Sequence, residues 1–140
     1  MVRAGEALHR MSGYAHMAYD KARVAKLAFI ALGRPDVFFL EAITLDDLAI
    51  GVLFAGVKES YFGPDKIASD IVFFIAPEFW GRCGDALREI VENYRTWATD
   101  QGAKKIFLGT STEVNPDKTR DVFEALGFPQ TGSLHAVTVH

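Results

Sequence analysis

The chain has 140 residues, 49% hydrophobic and 24% charged, enough for one domain spanning residues 1–140 that buries roughly two thirds of its unfolded-chain surface. Its single cysteine, Cys83, excludes an internal disulfide and a cysteine-built zinc site, and His9, His16, His135 and His140 form no metal-spaced pair, so no metal is expected. A net charge of −3, no apolar signal core and no apolar run near ~20 residues lead us to expect a soluble, cytoplasmic protein with neither nucleic acid nor membrane as partner.

From Tyr14 to Leu32 the sequence is rich in Ala, Leu and Lys without Pro or Gly, and Gly33-Arg34-Pro35 terminates it, which predicts a helix. Charge concentrates here: residues 1–34 carry six Lys/Arg against two Asp/Glu, while the remainder carries nine against sixteen. A solvated basic helix face is the simple reading, and attraction of an acidic partner is the functional one. "VFFLEAI" (37–43) and "LAIGVLFAGV" (48–57) are β-rich runs on either side of the polar "TLDD", which reads as a hairpin. After the Gly63-Pro64 break, "DIVFFIA" (70–76) is apolar on both faces, as a central strand should be.

The next helix is the clearest element, because Leu87, Ile90, Val91, Tyr94, Trp97 and Ala98 recur at three- and four-residue steps with charged residues opposite. "KKIFLGTS" (104–111) is another strand. "NPDKTRDVFEALGF" opens with Asn115 as N-cap and Pro116 at the first helical position, and Gly127 lies just past its last turn. "SLHAVTV" (133–139) is expected to close the chain as a strand. The order helix, β, β, β, helix, β, helix, β joins an antiparallel meander to a β-α-β crossover. The fold class is therefore α+β, an α/β mixed sheet flanked by helices.

"PEFWGRCGDALREI" (77–90) runs from the end of a strand into a helix through a turn holding two glycines and an arginine. The first N–H groups of a helix have no intrahelical acceptor and the helix dipole is positive there, so the turn is an anion site in principle. No standard phosphate-loop spelling fits it.

The stretch from Asp70 onward resembles the Gcn5-related N-acetyltransferases, through "VFFIAPEFWGR", "ALREIVENYRTWATDQGAKKIFLGTS" and, most specifically, "NPDKTRDVFEALGFPQTGSLH". The resemblance implies the acyl-CoA N-acyltransferase fold, acetyl-CoA as co-substrate and a primary amine as acceptor. In that family a central strand splays from its neighbour and hydrogen-bonds the pantetheine arm, and the following turn holds the pyrophosphate. Carried onto this chain, Phe74, Ile75 and Ala76 would bind pantetheine, while Gly81, Arg82, Cys83, Gly84, Asp85 and Ala86 would form the pyrophosphate turn. Asn115 matches a position that often contacts the cofactor. Phe123 matches a tyrosine that in many members protonates the departing thiolate.

The departures are specific. The family turn usually reads R/Q-x-x-G-x-G/A, but Trp80 stands at the Arg/Gln position, and Cys83 and Asp85 stand where small residues are expected. Gly81, Gly84 and Ala86 still allow close backbone approach, and the Arg82 side chain is able to meet a phosphate. Asp85 is also a plain N-cap residue, and its charge opposes a pyrophosphate. Phe123 has no proton to give.

Amide formation needs a neutral amine, so the site must take a proton from an ammonium of pKa near ~10. Asp70 and Glu59 are the candidate bases, against a reading of both as solvated or salt-bridged carboxylates. His135 is a further titratable candidate, against a packed or surface histidine. Cys83 at a helix N-terminus allows a nucleophilic thiol, although no histidine lies near it in sequence. Phe79 and Trp80 offer stacking surfaces for an adenine but fit core positions better. The functional alternatives are a fold that has lost catalysis and binds a partner, and a sensor that binds acyl-CoA without turnover. The usual first strand is missing before the first predicted helix, and the exposed edge this leaves is compatible with a homodimer.

Overall fold

The computed structural model describes residues 2–12, 14–109 and 116–139. Its elements are α1 (Val2–Met11), α2 (Lys21–Gly33), β1 (Phe38–Leu45), β2 (Leu48–Glu59), β3 (Lys66–Ile75), α3 (Gly84–Asp100), β4 (Ala103–Phe107) and α4 (Pro116–Ala125), with one 3-10 turn at Pro77–Phe79. The strands form one sheet in the order β1-β2-β3-β4. β1 with β2 and β2 with β3 are antiparallel, while β3 with β4 is parallel across the α3 crossover. The mixed α+β class expected from the element order is the one observed.

Side-chain alternation along the strands splits the core between the two faces of the sheet. On one face Phe39, Ile43, Leu53, Phe73 and Ile75 pack against Leu87, Ile90, Val91, Tyr94 and Ala98 of α3 and Phe123 of α4. On the other, Val52 and Phe74 meet Leu8 of α1. The α3 stripe is the one its three- and four-residue spacing predicts: Leu87, Ile90, Val91, Tyr94 and Ala98 are buried and Trp97 is half-buried against them. Burying side chains of this size stabilises by about 1.5–3 kcal/mol each, which makes α3 the anchor for everything built on its N-terminus.

The N-terminal expectation is corrected. The predicted helix from Tyr14 to Leu32 starts only at Lys21, because Asp20 caps it by accepting from the Arg23 N–H at 3.1 Å, and a separate helix, α1, precedes it over Val2–Met11. Residues 14–17 form a separate turn closed by the Met17 N–H on the Tyr14 carbonyl. An Asx cap satisfies an orphan donor at the helix start, and that local bond outweighed the continuous Ala/Leu/Lys composition. The hairpin turn is tighter than "TLDD": Leu45 pairs with Leu48, and Asp46 and Asp47 take positive φ of 51° and 64°, which Asp tolerates in primed two-residue turns.

Two strand bounds also move. β3 begins at Lys66, four residues earlier than "DIVFFIA", and β4 spans Ala103–Phe107 without Leu108 and Gly109, while Thr110 and Ser111 of the expected run lie outside the described residues. The expected closing strand over 133–139 is absent: that segment has no strand assignment, and Leu134, Val137 and Val139 stay 78%, 87% and 83% exposed. Composition supplies only a strand's preference; its hydrogen bonds need an edge to pair with. β4 offers just five residues, and an open cleft of about 1410 Å³ lies between it and the C-terminal segment.

Candidate active site

The sheet opens between β3 and β4. Their parallel ladder runs only from Lys66↔Ala103 to Ser69↔Phe107, whereas β3 continues against β2 as far as Ile75↔Gly51. The Ala76 N–H donates to the Ile50 carbonyl at 2.8 Å, so antiparallel alternation turns the main-chain groups of Phe74 toward β2 and those of Phe73 and Ile75 toward the opening. A bulge between Phe54 and Ala55 falls at Ile71, where β3 leaves β4. Of the three residues expected to offer main chain to a ligand, Ile75 faces the opening, while the N–H of Ala76 is already occupied.

Asp70 sits at the vertex of this opening. Its Oδ1 accepts from the Gly109 N–H at 2.8 Å, a bond across 39 residues that ties the chain beyond β4 to β3. Burial pushes the Asp70 carboxyl up to about 6, although the Gly109 N–H favours the ionised form. Beneath it, Tyr94 is fully buried and its hydroxyl donates to the Phe107 carbonyl at 3.0 Å. Burial, and then the charge of Asp70, push the Tyr94 phenol well above its ordinary value. Tyr94 and Gly109 were not singled out by sequence; a tyrosine within an otherwise aliphatic stripe, with its need for a polar partner, is the signal that points to the first.

Glu59 is elsewhere. It is exposed at the far end of β2, opposite Lys66, and lies four residues, about 13 Å along the strand, from Ala55, the partner of Asp70. The structure does not bring the two candidate carboxylates together.

At the other end of β3 the 3-10 turn leads into α3. Gly81 has φ +89°, a conformation that disfavours any side chain, and it redirects the chain into the helix. The N-cap is Cys83, which makes no side-chain cap bond, so Asp85 lies in the first turn rather than at the cap. Gly84, Asp85 and Arg82 are exposed, and Ala86 is half-buried. The Leu87 N–H closes the first helical bond onto the Cys83 carbonyl, leaving the N–H groups of Gly84, Asp85 and Ala86 without intrahelical acceptors. Arg82 lies over the Phe79 ring at 5.1 Å and reaches the Glu78 carbonyl only at 3.4 Å. Lys118, from the first turns of α4, stands 6.0 Å from the Trp80 ring centre and adds a second cation that sequence spacing did not reveal.

Cys83 is 3% exposed, and burial pushes its thiol up, the opposite of what a reactive thiolate requires. Phe79 and Trp80 pack against the main core. Phe123 is buried, edge-on to Phe73 with ring centres 5.1 Å apart, and so reaches from α4 onto the strand that opens. Asn115 lies outside the described residues. The 1410 Å³ cleft borders Asp70, Gly109 and Phe123, with Tyr14 and His16 from the segment after α1 and His135 from the C-terminal segment on its walls. Exposed His135 is 3.0 Å from the Ser133 hydroxyl. No group of His, Cys, Asp and Glu suited to a metal occurs among the described residues, and none of their helices is long and apolar enough to cross a membrane.

The mixed sheet, opened after its parallel rungs and flanked by helices, has the Gcn5-related N-acetyltransferase fold. Solved structures agree: AAC(6')-Iy in complex with the bisubstrate analog CoA-S-monomethyl-acetylneamine superposes at TM-score 0.70 and 20% identity, covering 99% of this chain and 91% of that one. An integron cassette protein from the mobile metagenome of Cole Harbour Salt Marsh matches at TM-score 0.70 and 18% identity, over 99% and 81% of the chains. Glucosamine-6-phosphate N-acetyltransferase from Arabidopsis thaliana matches at 0.69 and 13%, over 99% and 91%. No family model matches the sequence, and no curated protein does.

Proposed function

We propose that this protein transfers an acetyl group from acetyl-CoA to a primary amine by direct attack in a ternary complex. The observation that carries this reading is the pairing of a strand edge, Phe73 to Ile75, that has no partner among the described residues, with a carboxylate at its closed end and a helix N-terminus at its open end. From Ile71 to Ile75 the edge spans five residues, about 17 Å, which suits an extended pantetheine arm. The outward main-chain groups of Phe73 and Ile75 hold that arm. The Gly84, Asp85 and Ala86 N–H groups with the Arg82 guanidinium meet the pyrophosphate, and Lys118 offsets the charge of Asp85. These residues fit the co-substrate, which when bound supplies the activated thioester.

Asp70, its carboxyl pushed up to about 6, takes the proton from the incoming ammonium, directly or through water. The amine lone pair then forms the C–N bond as the C–S bond breaks, and the sulfur leaves with the electron pair. Phe123 holds no proton for it, so water passes to the sulfur the proton that the nitrogen loses as the amide forms. The amine enters from the cleft beside Gly109 and His135, and the AAC(6')-Iy complex makes aminoglycoside-type amines the first acceptors to screen.

The second reading is a fold that binds acyl-CoA without turnover, or binds only a protein partner, and it rests on Phe123, Trp80 and Asp85 together. Calorimetric titration with acetyl-CoA and with desulfo-coenzyme A separates the cases. Micromolar binding with turnover of an amine supports the transferase, binding without turnover on any amine supports the sensor, and no binding to either ligand sinks both of these and leaves the fold that binds a protein partner.

A further inference from the structure

An opened parallel pair is a problem that the sheet has to solve. Phe73 and Ile75 turn main-chain groups away from β2 that have no partner among the described residues, and on the other side Leu108 and Gly109 leave β4 without joining its ladder. With nothing between them, such edges zip together as any unpaired strand edge does. The last rung is Ser69↔Phe107, and continuing the same register would set Asp70 opposite Leu108 and Ile71 opposite Gly109. The next rung would direct the Gly109 N–H to the main chain of β3. The Asp70 carboxylate takes that donor instead, at 2.8 Å. Two residues earlier, the Tyr94 hydroxyl holds the Phe107 carbonyl from the α3 layer at 3.0 Å. Tyr94 is itself fully buried against Phe39 and Trp97 with ring centres 5.6 and 6.3 Å away, and the Trp97 indole N–H donates to the Pro35 carbonyl at 2.7 Å.

We propose that Tyr94 is a positioning residue: with Asp70 it brackets Leu108, stops the β3–β4 ladder after Phe107, and so keeps the ligand edge of β3 open before any ligand arrives. The two tethers divide the work. Asp70 consumes the donor of the rung that must not form, and Tyr94 fixes the end of β4 so that this donor points at the carboxylate. The same bond orients the Asp70 carboxyl toward the cleft. The inference deepens the transferase reading and rests on it only for the identity of the ligand, because the opening is a property of the free protein.

The test is amide hydrogen exchange, resolved at Phe73 and Ile75, on ligand-free wild type and Tyr94→Phe, which removes the hydroxyl and keeps the ring. We expect the wild-type amides to exchange readily and those of Tyr94→Phe to gain at least ~10-fold protection as the ladder extends, with acetyl-CoA affinity and kcat/KM falling by a similar factor while kcat at saturation changes less. Unchanged or lower protection at both amides overturns the proposal, whatever happens to thermal stability or affinity. Asp70→Ala, which returns the Gly109 N–H to the ladder, is read in the same way should Tyr94→Phe not fold. Gained protection in a protein whose wild type binds no acetyl-CoA leaves the bracing intact and removes the transferase reading instead.

Discussion

The vertex and the turn of this site are built in opposite ways. At the vertex each polar group has a partner: Asp70 holds the Gly109 N–H, Tyr94 holds the Phe107 carbonyl, and both bonds join segments far apart in sequence. At the turn the N–H groups of Gly84, Asp85 and Ala86 have no acceptor among the described residues, Arg82 is exposed, and the cap residue Cys83 makes no side-chain cap bond. Groups spent on one another make structure, whereas groups left unspent wait for something else. The vertex should therefore govern stability and proton transfer, and the turn should govern affinity.

The largest expected effect tests the vertex as a base. Asp70→Asn keeps an oxygen for the Gly109 N–H but removes the proton acceptor, so kcat should fall by about 100- to 10,000-fold, with acetyl-CoA affinity nearly unchanged. In the wild type, activity should rise with pH through about 6, and the variant should lack that limb. A variant that keeps wild-type turnover ends the role of Asp70 as base.

Stability should carry the same signature with the opposite sign. Folding raises the Asp70 carboxyl from 3.8 to about 6, so between those values the native state binds more proton than the unfolded chain. Its contribution is therefore full below about pH 4 and is lost as pH rises through 6, by at most about 3 kcal/mol. Denaturant unfolding of wild type and Asp70→Asn across pH 4 to 7 should show the wild type losing ground to the variant as pH increases. Parallel profiles would place the carboxyl in water.

Affinity should respond at the turn. Arg82→Glu reverses a charge that has no carboxylate partner among the described residues, and should weaken acetyl-CoA by about 10- to 100-fold while leaving unfolding within about 0.5 kcal/mol of wild type. Equal loss of stability and affinity would mean that Arg82 serves the fold.

The same division explains what the sequence makes legible. α3 was readable because one helix writes its own period, and Gly81 and Gly84 were readable because a strand-turn-helix boundary is local. β3 was readable as a central strand but not as one that opens, since only its first residues, Lys66 to Ser69, pair with β4, and pairing is decided by the partner. Asp70 stood out as a carboxylate at the head of an apolar run, yet its bond to Gly109 spans 39 residues and left no trace in spacing. Tyr94 was visible only as one more core position. The C-terminal segment failed for the same reason in reverse: a strand-like composition found no edge.

Two glycines three residues apart offer the finest test of the division. At Gly81 a side chain would sit at φ +89° with nothing within 4 Å, so Gly81→Ala should cost about 1–2 kcal/mol of stability through backbone strain alone. Gly84 has ordinary backbone and equally empty space around it, and it opens α3, so Gly84→Ala should stabilise the free protein by about 0.5–1 kcal/mol. A glycine that costs the free protein stability is explained if a ligand must approach its backbone closely. The methyl of Gly84→Ala would then stand between pyrophosphate and the first-turn N–H groups, and acetyl-CoA affinity should fall by about 10-fold as the melting temperature rises. Should Gly84→Ala gain stability with affinity untouched, the phosphate would have to lie on Arg82 and Lys118 and not on the helix N-terminus.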